Sequence, residues 1–455
     1  MAAAMEQGIH LDYFPDISAT GLALLKRLIC HPHAPYYRNQ SGHRLSRAHQ
    51  AAVSAYIQQA LIAPLPHLIS SNLKAQPAWL TDFLAMCRRD VPYFLGNDAL
   101  DFLQLPTTCR ADLSRDVTQF VPNGLPLDEL IAFSTSGSSG HPLIVPSHPL
   151  VAARYQAFHR RALALFNVFP AAASGQLGVA LIGAQQRCFS YVSLNPLQNE
   201  AGLIKINLNP SEWRDPLDPA PYLDDLAPEL ITGDPISLMV LAALPLRHCP
   251  RAILSTSMQM LAGVRQKLEA RFHCPVLDIY SMNEAGPIAV YDAARGGHVL
   301  LQPWLWLEIL DATGREVVQG ERGEITLTGG FNPWLPLRRY RTGDYASLQI
   351  RDGLPVLIGL SGRPPVRFKS FDGRWVNNVD ISQAMQPFAL AQFTLHQAAN
   401  GALEMRYVGT AAPDAIRQVL QQILGEWAIQ ISEGTIFKDK VIQYTSDILE
   451  PVSIK

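Results

Sequence analysis

Apolar and polar residues recur along the chain with different periods, and each period predicts a different kind of element. In residues 16–90 the apolar positions lie near helical spacing, which predicts helices, among them one over residues 44–63. From residue 128 onward short apolar runs alternate with helical stretches, as in an α/β fold. The predicted strands are Leu177–Gly183, Leu203–Leu208 and Val276–Tyr280, and the predicted helices are residues 149–166, 235–244 and 259–272.

Two adjacent prolines mark the clearest division of the chain. Before them, residues 300–327 alternate between apolar and polar positions around turns, which predicts an antiparallel section. Pro364 and Pro365 then stiffen the backbone and interrupt any regular element. We therefore predict a large N-terminal domain, residues 1–362, and a small C-terminal domain, residues 363–455.

The C-terminal segment has the pattern of a small α+β unit. Leu403, Met405 and Tyr407 alternate as on a strand, and Pro413 is typical of the first turn of a helix. The apolar residues that follow recur at three- and four-residue steps as far as Trp427, which predicts an amphipathic helix. A further apolar run over Thr435–Tyr444 predicts a strand that closes a small sheet.

The composition changes this picture little, but it excludes several classes of protein. The 455 residues are 48% hydrophobic and 17% charged, which does not fit a disordered chain. The 37 basic residues nearly balance the 39 acidic ones, so no nucleic-acid surface is indicated. The six cysteines show no CxxC spacing, and neither a secretory signal nor a membrane-spanning run is evident. We expect a cytoplasmic protein whose partner is a small molecule or one docked protein, not nucleic acid or a membrane.

Four short segments carry residues suited to nucleotide chemistry. Residues 134–142 form a Ser/Gly run after an apolar strand, which fits either a phosphate-binding loop or a flexible linker. Glu284 follows the strand Val276–Tyr280 and can either bind a hard cation or lie in a solvated turn. Asp344 can accept hydrogen bonds from two ribose hydroxyls or belong to an ordinary Thr-Gly-Asp turn. Arg363 can pair with phosphate or ribose oxygens or serve as a linker charge.

The order of these segments resembles that of the adenylate-forming (AMP-binding) enzyme superfamily. Its members carry a TSG[ST][ST]GxP loop, a YGxTE segment, a YRTGD segment and a GR pair before a small domain. This chain has, in the same order, TSGSSGHP, YSMNE, YRTGD and GR. The resemblance implies an α/β fold, with a large N-terminal adenylate-forming domain of mixed sheets and helices and a small C-terminal α+β domain.

Two further features are similar to the phenylacetate–CoA ligase branch of that superfamily. The stretch Leu105–Leu113, LPTTCRADL, is similar to the LPxTxKxDL segment that precedes the phosphate loop in that branch. Leu143 stands where many other relatives have a lysine after GxP, and the branch tends to lack that lysine. The resemblance covers about residues 90–400.

The resemblance implies a role for each matching residue. Glu284 would bind Mg²⁺, and Lys438, with Lys440 second, is the best candidate for the charge-stabilising C-terminal lysine, since no GK pair occurs. The implied acid pocket comprises Phe189, Tyr191, Ser257, Met258 and Met282, placed by motif neighbourhood, with plain core packing as the alternative. The implied ATP- and AMP-binding residues are Thr135, Ser136, Gly137, Ser138, Ser139, Gly140, Tyr280 against adenine, Asn283, Asp344 at the ribose and Arg363 at the hinge.

The implied activity is ATP- and Mg²⁺-dependent activation of a carboxylic acid, first of all an aromatic one, to an acyl-AMP. A thiol, from CoA or from the phosphopantetheine of an acyl carrier protein, would then take the acyl group as a thioester. One alternative is transfer to an amine, which would give an amide. The other is a degenerate member that binds a nucleotide or a partner without turnover, and three departures from the pattern favour it: Asn283 in place of Thr or Ser, Pro365 at the usual pivot and the missing GK lysine.

Overall fold

One large mixed sheet organises the described part of the chain. The computed structural model describes residues 13–14, 16–39, 45–65, 77–96, 101–135, 143–184, 188–362, 366–385, 387–434 and 443–448. Its helices are α1 (Ala19–Ile29), α2 (Arg47–Ile62), α3 (Ala78–Asp90), α4 (Arg110–Arg115), α5 (Pro149–Leu165), α6 (Pro219–Leu226), α7 (Pro235–Ala243), α8 (Ala262–Phe272), α9 (Asn378–Met385) and α10 (Pro413–Leu424).

The described strands form a long series before residue 363 and a shorter series near the C-terminus. The first fifteen are β1 (Thr108–Cys109), β2 (Ile131–Thr135), β3 (Leu143–Ser147), β4 (Leu177–Gly183), β5 (Tyr191–Asn195), β6 (Ala201–Asn207), β7 (Leu230–Gly233), β8 (Ala252–Ser255), β9 (Val276–Met282), β10 (Gly286–Asp292), β11 (Gly297–Leu300), β12 (Leu305–Leu310), β13 (Gly323–Gly329), β14 (Leu337–Arg351) and β15 (Leu354–Gly362). The others are β16 (Arg367–Lys369), β17 (Trp375–Asn377), β18 (Leu390–Gln397), β19 (Leu403–Gly409), β20 (Ile429–Glu433) and β21 (Tyr444–Ser446).

Among the described residues the large sheet has thirteen strands, and it changes from parallel to antiparallel at β9. Strands β6, β4, β7, β8 and β9 lie side by side and run parallel, and β5 is added antiparallel at the edge beyond β6. From β9 the order continues antiparallel through β10, β11, β15, β14, β13 and β12, while β1 pairs parallel with β14. This architecture confirms the predicted mixed α/β fold class.

Helices cover both faces of the parallel strands, which is why these strands are so apolar. On one face Ala180 and Ile182 of β4 pack in a core with Leu25 of α1 and Leu223 of α6. On the other face Leu254 of β8 packs in a core that includes residues of α2 and α5. Parallel strands shielded in this way need few polar positions. Within the described ranges, no helix is both long and apolar enough to traverse a bilayer.

Most predicted elements are present, with shifts at their ends that follow from local chemistry. The strand Leu177–Gly183 has the predicted bounds. The helix predicted over residues 149–166 ends one residue earlier and starts where His148 caps it and Pro149 supplies the first turn. The strand predicted over Val276–Tyr280 continues to Met282, because those last residues pair with β10. That extension places Glu284 in the tight turn between β9 and β10.

The C-terminal segment forms its own four-stranded sheet, in the order β20, β19, β18 and β21. Helix α10 packs on it through Ile416, Leu420 and Leu424, the predicted apolar stripe. Of the predicted strand Thr435–Tyr444, only the last two residues lie within the described ranges. Residues 363–365 also lie outside them, so the division of the chain after residue 362 stays a prediction.

Candidate functional site

Two tyrosine–carboxylate hydrogen bonds join two of the sequence motifs. The Tyr280 hydroxyl, on β9, donates to Asp344 Oδ2 on β14 at 2.6 Å, across 64 residues of sequence. The Tyr340 hydroxyl, on β14, donates to Glu284 Oε1 beyond the end of β9 at 3.3 Å, across 56 residues. The segments YSMNE (residues 280–284) and YRTGD (residues 340–344) therefore each contribute one tyrosine and one carboxylate. Each tyrosine donates a hydrogen bond to the carboxylate of the other segment.

Burial keeps both tyrosines protonated, so that they act as donors. Burial, followed by the nearby carboxylate of Asp344, raises the pKa of Tyr280 well above its usual value. Burial, followed by the charge of Glu284, raises the pKa of Tyr340 in the same direction. A protonated phenol donates a directional hydrogen bond to a neighbouring carboxylate. Tyr280 and Tyr340 are therefore the donors in the two hydrogen bonds that hold Asp344 and Glu284.

Curvature of the sheet makes these contacts possible. In hydrogen-bonding order, β10, β11 and β15 separate β9 from β14. Four strand spacings in a flat sheet would put the two strands about 19 Å apart, too far for the side chains to touch. The hydrogen bonds therefore require the antiparallel half of the sheet to curl back toward β9. A β-bulge in β10 between Pro287 and Ala289, and others in β13 and β14, are devices that bend strands in this way.

The turn between β9 and β10 presents Glu284 from a rigid frame. Gln302 Nε2 donates to the carbonyl oxygens of Ala285 at 2.6 Å and of Pro287 at 2.8 Å, so the backbone after Glu284 is held on its buried side. The Glu284 residue is 5% exposed, whereas the neighbouring Asn283 is exposed. The buried carboxylate of Glu284 therefore faces Tyr340, whereas the side chain of Asn283 is exposed to solvent.

Gly286, at the start of β10, is required by both its conformation and its surroundings. Its φ is +70°, and a Cβ there would lie 2.7 Å from Cε1 of the buried Phe331. We expect Gly286→Ala to lower the free energy of unfolding by about 1–3 kcal/mol through overpacking. Denaturant unfolding measures this loss.

Gly320→Ala is the matched control for this prediction. Gly320 has a φ of +88° in a turn, and a Cβ there would meet nothing within 4 Å. It therefore bears the conformational strain of a left-handed alanine without the clash. Equal losses of stability in the two variants would contradict the proposed role of the Phe331 contact.

The turn that carries Asp344 is braced from β13. Gly343, with a φ of +78°, donates its N–H to Glu324 Oε1 at 3.0 Å, and Arg341 pairs with the same carboxylate. Asp344 lies opposite Gly362 in the β14–β15 ladder, where an added Cβ would lie 3.2 Å from Asp344 Oδ1. Asp344 Oδ2 is thus held by Tyr280, and a side chain at position 362 would crowd Asp344 Oδ1.

Several predicted residues lie outside the described ranges. These are Ser136, Gly137, Ser138, Ser139 and Gly140 of the Ser/Gly run, together with Arg363, Pro365, Lys438 and Lys440. The strands that flank the Ser/Gly run are described: Thr135 ends β2, Leu143 begins β3, and the two residues are paired. The run therefore connects two strands of a hairpin. Gly362 ends β15 opposite Asp344, so Arg363 follows directly after a site residue in the chain.

The five acid-pocket candidates form two groups, both on the side of the sheet where the parallel strands end. Ser257 and Met258 follow the end of β8, and Met282 ends the adjacent strand β9. Phe189 and Tyr191 lie at the start of β5, with ring centroids 5.8 Å apart. Strands β7, β4 and β6 separate the two groups. Met258, Met282 and Tyr191 are partly buried, whereas Phe189 and Ser257 are exposed. Met282 also packs against an apolar core, so the assignment of these five residues to an acid pocket stays a prediction.

Two residues beside Glu284 were given no role by sequence reasoning. Tyr340 and Arg110 both approach Glu284 Oε1, the guanidinium Nη1 of Arg110 at 4.0 Å. Both belong to segments singled out in the sequence, YRTGD with its neighbours and LPTTCRADL. The pairing of Thr108 with Tyr340 in the β1–β14 ladder brings those segments together. The sequence does not reveal this strand pairing, so it could not show that Tyr340 and Arg110 both lie beside Glu284.

Glu284 fits a hard cation better than a second polar cluster does. Its buried carboxylate supplies the oxygen ligand that Mg²⁺ prefers. Elsewhere His49, Glu129 and His148 also bring three metal-ligand side chains together. There, however, His148 Nδ1 accepts the N–H of Leu150 at 3.1 Å, so its ring proton lies on Nε2, 2.9 Å from Glu129. A metal bound to Nε2 would require the ring proton to lie on Nδ1, which could then no longer accept the Leu150 N–H that caps the helix. We therefore interpret the cluster as structural.

Solved structures share the fold of this chain. No protein-family profile matches it. A structure of 2-hydroxyisobutyryl-CoA ligase in the postadenylation state, in complex with R3-HIB-AMP, gives a TM-score of 0.57 at 16% identity over 88% of this chain and 89% of that one. The same ligase with 2-HIB-AMP gives 0.56 at 16% identity, over 88% and 89%. A benzoate CoA ligase from Burkholderia xenovorans LB400 gives 0.48 at 14% identity, over 71% and 68%. The likeness to the 2-hydroxyisobutyryl-CoA ligase shows that this chain has the mixed α/β fold of that enzyme.

Proposed function

We propose that this protein activates a carboxylic acid as its acyl-AMP at the expense of ATP and transfers the acyl group to a thiol. The observation that carries the proposal is the crossed pair of hydrogen bonds, Tyr280 to Asp344 and Tyr340 to Glu284. It joins a candidate ribose ligand and a candidate Mg²⁺ ligand in one rigid site, as binding of a single nucleotide requires. The shared fold with an acyl-CoA ligase that binds acyl-AMP supports the same conclusion.

The chain's own residues would bind and orient the reactants, because acid activation needs no protein nucleophile. The oxygen of the acid attacks the α-phosphorus of ATP, so the protein has to align these atoms and stabilise the negative charge that departs. Asp344 would hold the ribose, Tyr280 would lie against adenine, and residues 135–140 would cradle the phosphates. Mg²⁺ held by Glu284 would supply charge neutralisation at the phosphates.

The acid, the acceptor and the domain arrangement belong to the same proposal. An aromatic acid and the phenylacetate–CoA ligase branch are favoured by LPTTCRADL and by the partly buried aromatic Tyr191 at the sheet edge. The acceptor would be CoA or a carrier-protein phosphopantetheine. Residues 363–455 would form the small domain that closes over the site, with Arg363 at the joint and Lys438 approaching the reacting atoms.

Acid-dependent release of pyrophosphate tests the proposal. The protein is mixed with ATP, Mg²⁺ and one member at a time of a panel of aryl and fatty acids, with hydroxylamine to trap the acyl-AMP. We expect release with one chemical class of acid and formation of the matching hydroxamate. CoA, a phosphopantetheinylated carrier protein and simple amines, added in place of hydroxylamine, then identify the acceptor.

Two outcomes would count against this function. Faster product formation with an amine than with any thiol would replace thioester formation by amide formation. No release with any acid, from protein that is folded and binds ATP in a titration, would favour the non-catalytic nucleotide-binding alternative.

A further inference from the structure

The guanidinium of Arg110 lies at the boundary between a buried carboxylate and solvent. Its Nη1 is 4.0 Å from Glu284 Oε1, the oxygen that also accepts the Tyr340 hydroxyl. The side chain of Glu284 is 5% exposed and that of Arg110 is 35% exposed. The positive charge therefore lies on the open side of the site, where a nucleotide bound at Glu284 and Asp344 would place its phosphates.

The fold fixes Arg110 at this point. Cys109 pairs with Arg341 at the end of β1, and α4 begins at the next residue. The first turn of α4 is closed by a capping box, in which the Cys109 N–H donates to Asp112 Oδ2 at 2.9 Å. Arg110 thus stands at the joint of a paired strand and a capped helix, with its backbone held on both sides.

The position where many relatives of the resembled superfamily carry a lysine cannot supply a cation in this protein. Leu143 occupies it at the start of β3, is 1% exposed and packs in an apolar core with Leu80 and Phe94. Because position 143 faces this core, its side chain could reach a phosphate only by leaving the core. The nearest cation described beside Glu284 is Arg110, which comes from a different part of the sequence.

We propose that Arg110 binds the phosphates of ATP and stabilises the pyrophosphate that leaves during acid activation. The inference rests on the proposed function. In that step an oxygen of the acid forms a bond to the α-phosphorus, the bond from this phosphorus to the bridging oxygen breaks, and pyrophosphate departs with the electron pair. No proton moves, and Arg110 stays protonated throughout. The planar guanidinium fork matches two phosphate oxygens and is weakly hydrated, which suits it to this position.

The proximity of Arg110 to Glu284 follows from the same role. Without a ligand, Arg110 and Tyr340 compensate a carboxylate that would otherwise be buried with its charge unpaired. When that carboxylate binds a divalent cation, Arg110 faces a second positive charge at short range. The phosphates of ATP can neutralise both charges, so the guanidinium is attracted to them when the complete substrate is bound.

Two arginines on the same short helix allow a matched test. Arg110→Gln is compared with Arg115→Gln, since Arg115 is 75% exposed and pairs with Asp112 instead of Glu284. Calorimetry measures the affinity for pyrophosphate in the presence of Mg²⁺, without turnover, and acid-dependent pyrophosphate release measures kcat. We expect Arg110→Gln to weaken pyrophosphate binding about tenfold or more and to lower kcat about a hundredfold. Arg115→Gln should match the wild type, and Arg110→Lys should fall between.

Tyr340→Phe separates binding of phosphate from support of Glu284. It removes the other partner of Glu284 Oε1 without removing a positive charge. If Tyr340→Phe weakens pyrophosphate binding as much as Arg110→Gln does, Arg110 acts only through Glu284 and the proposal is wrong. Unchanged pyrophosphate affinity in Arg110→Gln would also overturn it. Absence of release from the wild type with every acid would instead refute the proposed function, and the affinities would still decide the role of Arg110.

Discussion

Replacing Glu284 by alanine should lower acid-dependent pyrophosphate release at least about a thousandfold. Glu284 is the buried carboxylate at the centre of the site, held by the Tyr340 hydroxyl and approached by Arg110. Its removal deletes the oxygen ligand proposed for Mg²⁺ and leaves Arg110 without that counter-charge. The measurement is pyrophosphate release over a titration of Mg²⁺, with an acid that the wild type activates.

Two comparisons make this expectation specific. Glu284→Gln keeps the size of the side chain and a hydrogen-bond acceptor for Tyr340 but loses the charge, so it should lose nearly as much activity while remaining folded. Glu321→Gln removes a carboxylate from an exposed turn and should behave as the wild type. Retention of more than about a tenth of the activity in Glu284→Ala would rule out Glu284 as the metal ligand.

Breaking the buried Glu308–Arg339 ion pair should have the largest effect on stability. The Arg339 Nη2 lies 3.0 Å from Glu308 Oε1, and both side chains are at most 4% exposed. Arg339 also donates to the carbonyl oxygens of Leu103 and Leu105, just before β1 and α4. Glu308→Ala would leave the guanidinium buried without its counter-charge, so we expect a loss of about 3–5 kcal/mol in the free energy of unfolding.

Denaturant unfolding at pH 8 measures this loss. Burial raises the pKa of Glu308 to about 7, so the carboxylate is ionised at that pH. Arg47, which is 85% exposed and pairs with Asp16, gives the control: Arg47→Ala should change stability by no more than about 1 kcal/mol. The double variant Glu308→Leu, Arg339→Met should recover much of the loss, because it leaves no buried charge. A loss in Glu308→Ala no larger than that in Arg47→Ala would contradict the argument.

The order of the motifs and the local periodicity predicted the fold class that the structure shows. Leu177–Gly183 is apolar enough to be recognised as a strand covered on both faces, and its predicted bounds are those observed. The amphipathic stripe of α10 was equally plain. The acid pocket was less accessible to sequence reasoning: its candidates divide between the ends of β8 and β9 and the distant start of β5, and motif neighbourhood does not measure such distances.

Periodicity, turn residues and motif spacing are properties of short segments, so they can be read from the sequence. How distant segments meet depends on the tertiary fold. The hydrogen bonds from Tyr280 to Asp344 and from Tyr340 to Glu284 form because the sheet is curved between β9 and β14. This curvature involves several strands, and no local sequence pattern predicts it. Arg110 likewise reaches Glu284 through the pairing of β1 with β14, which joins segments more than two hundred residues apart. Such pairings depend on the free energy of the whole fold, and for that reason they were not visible in the sequence.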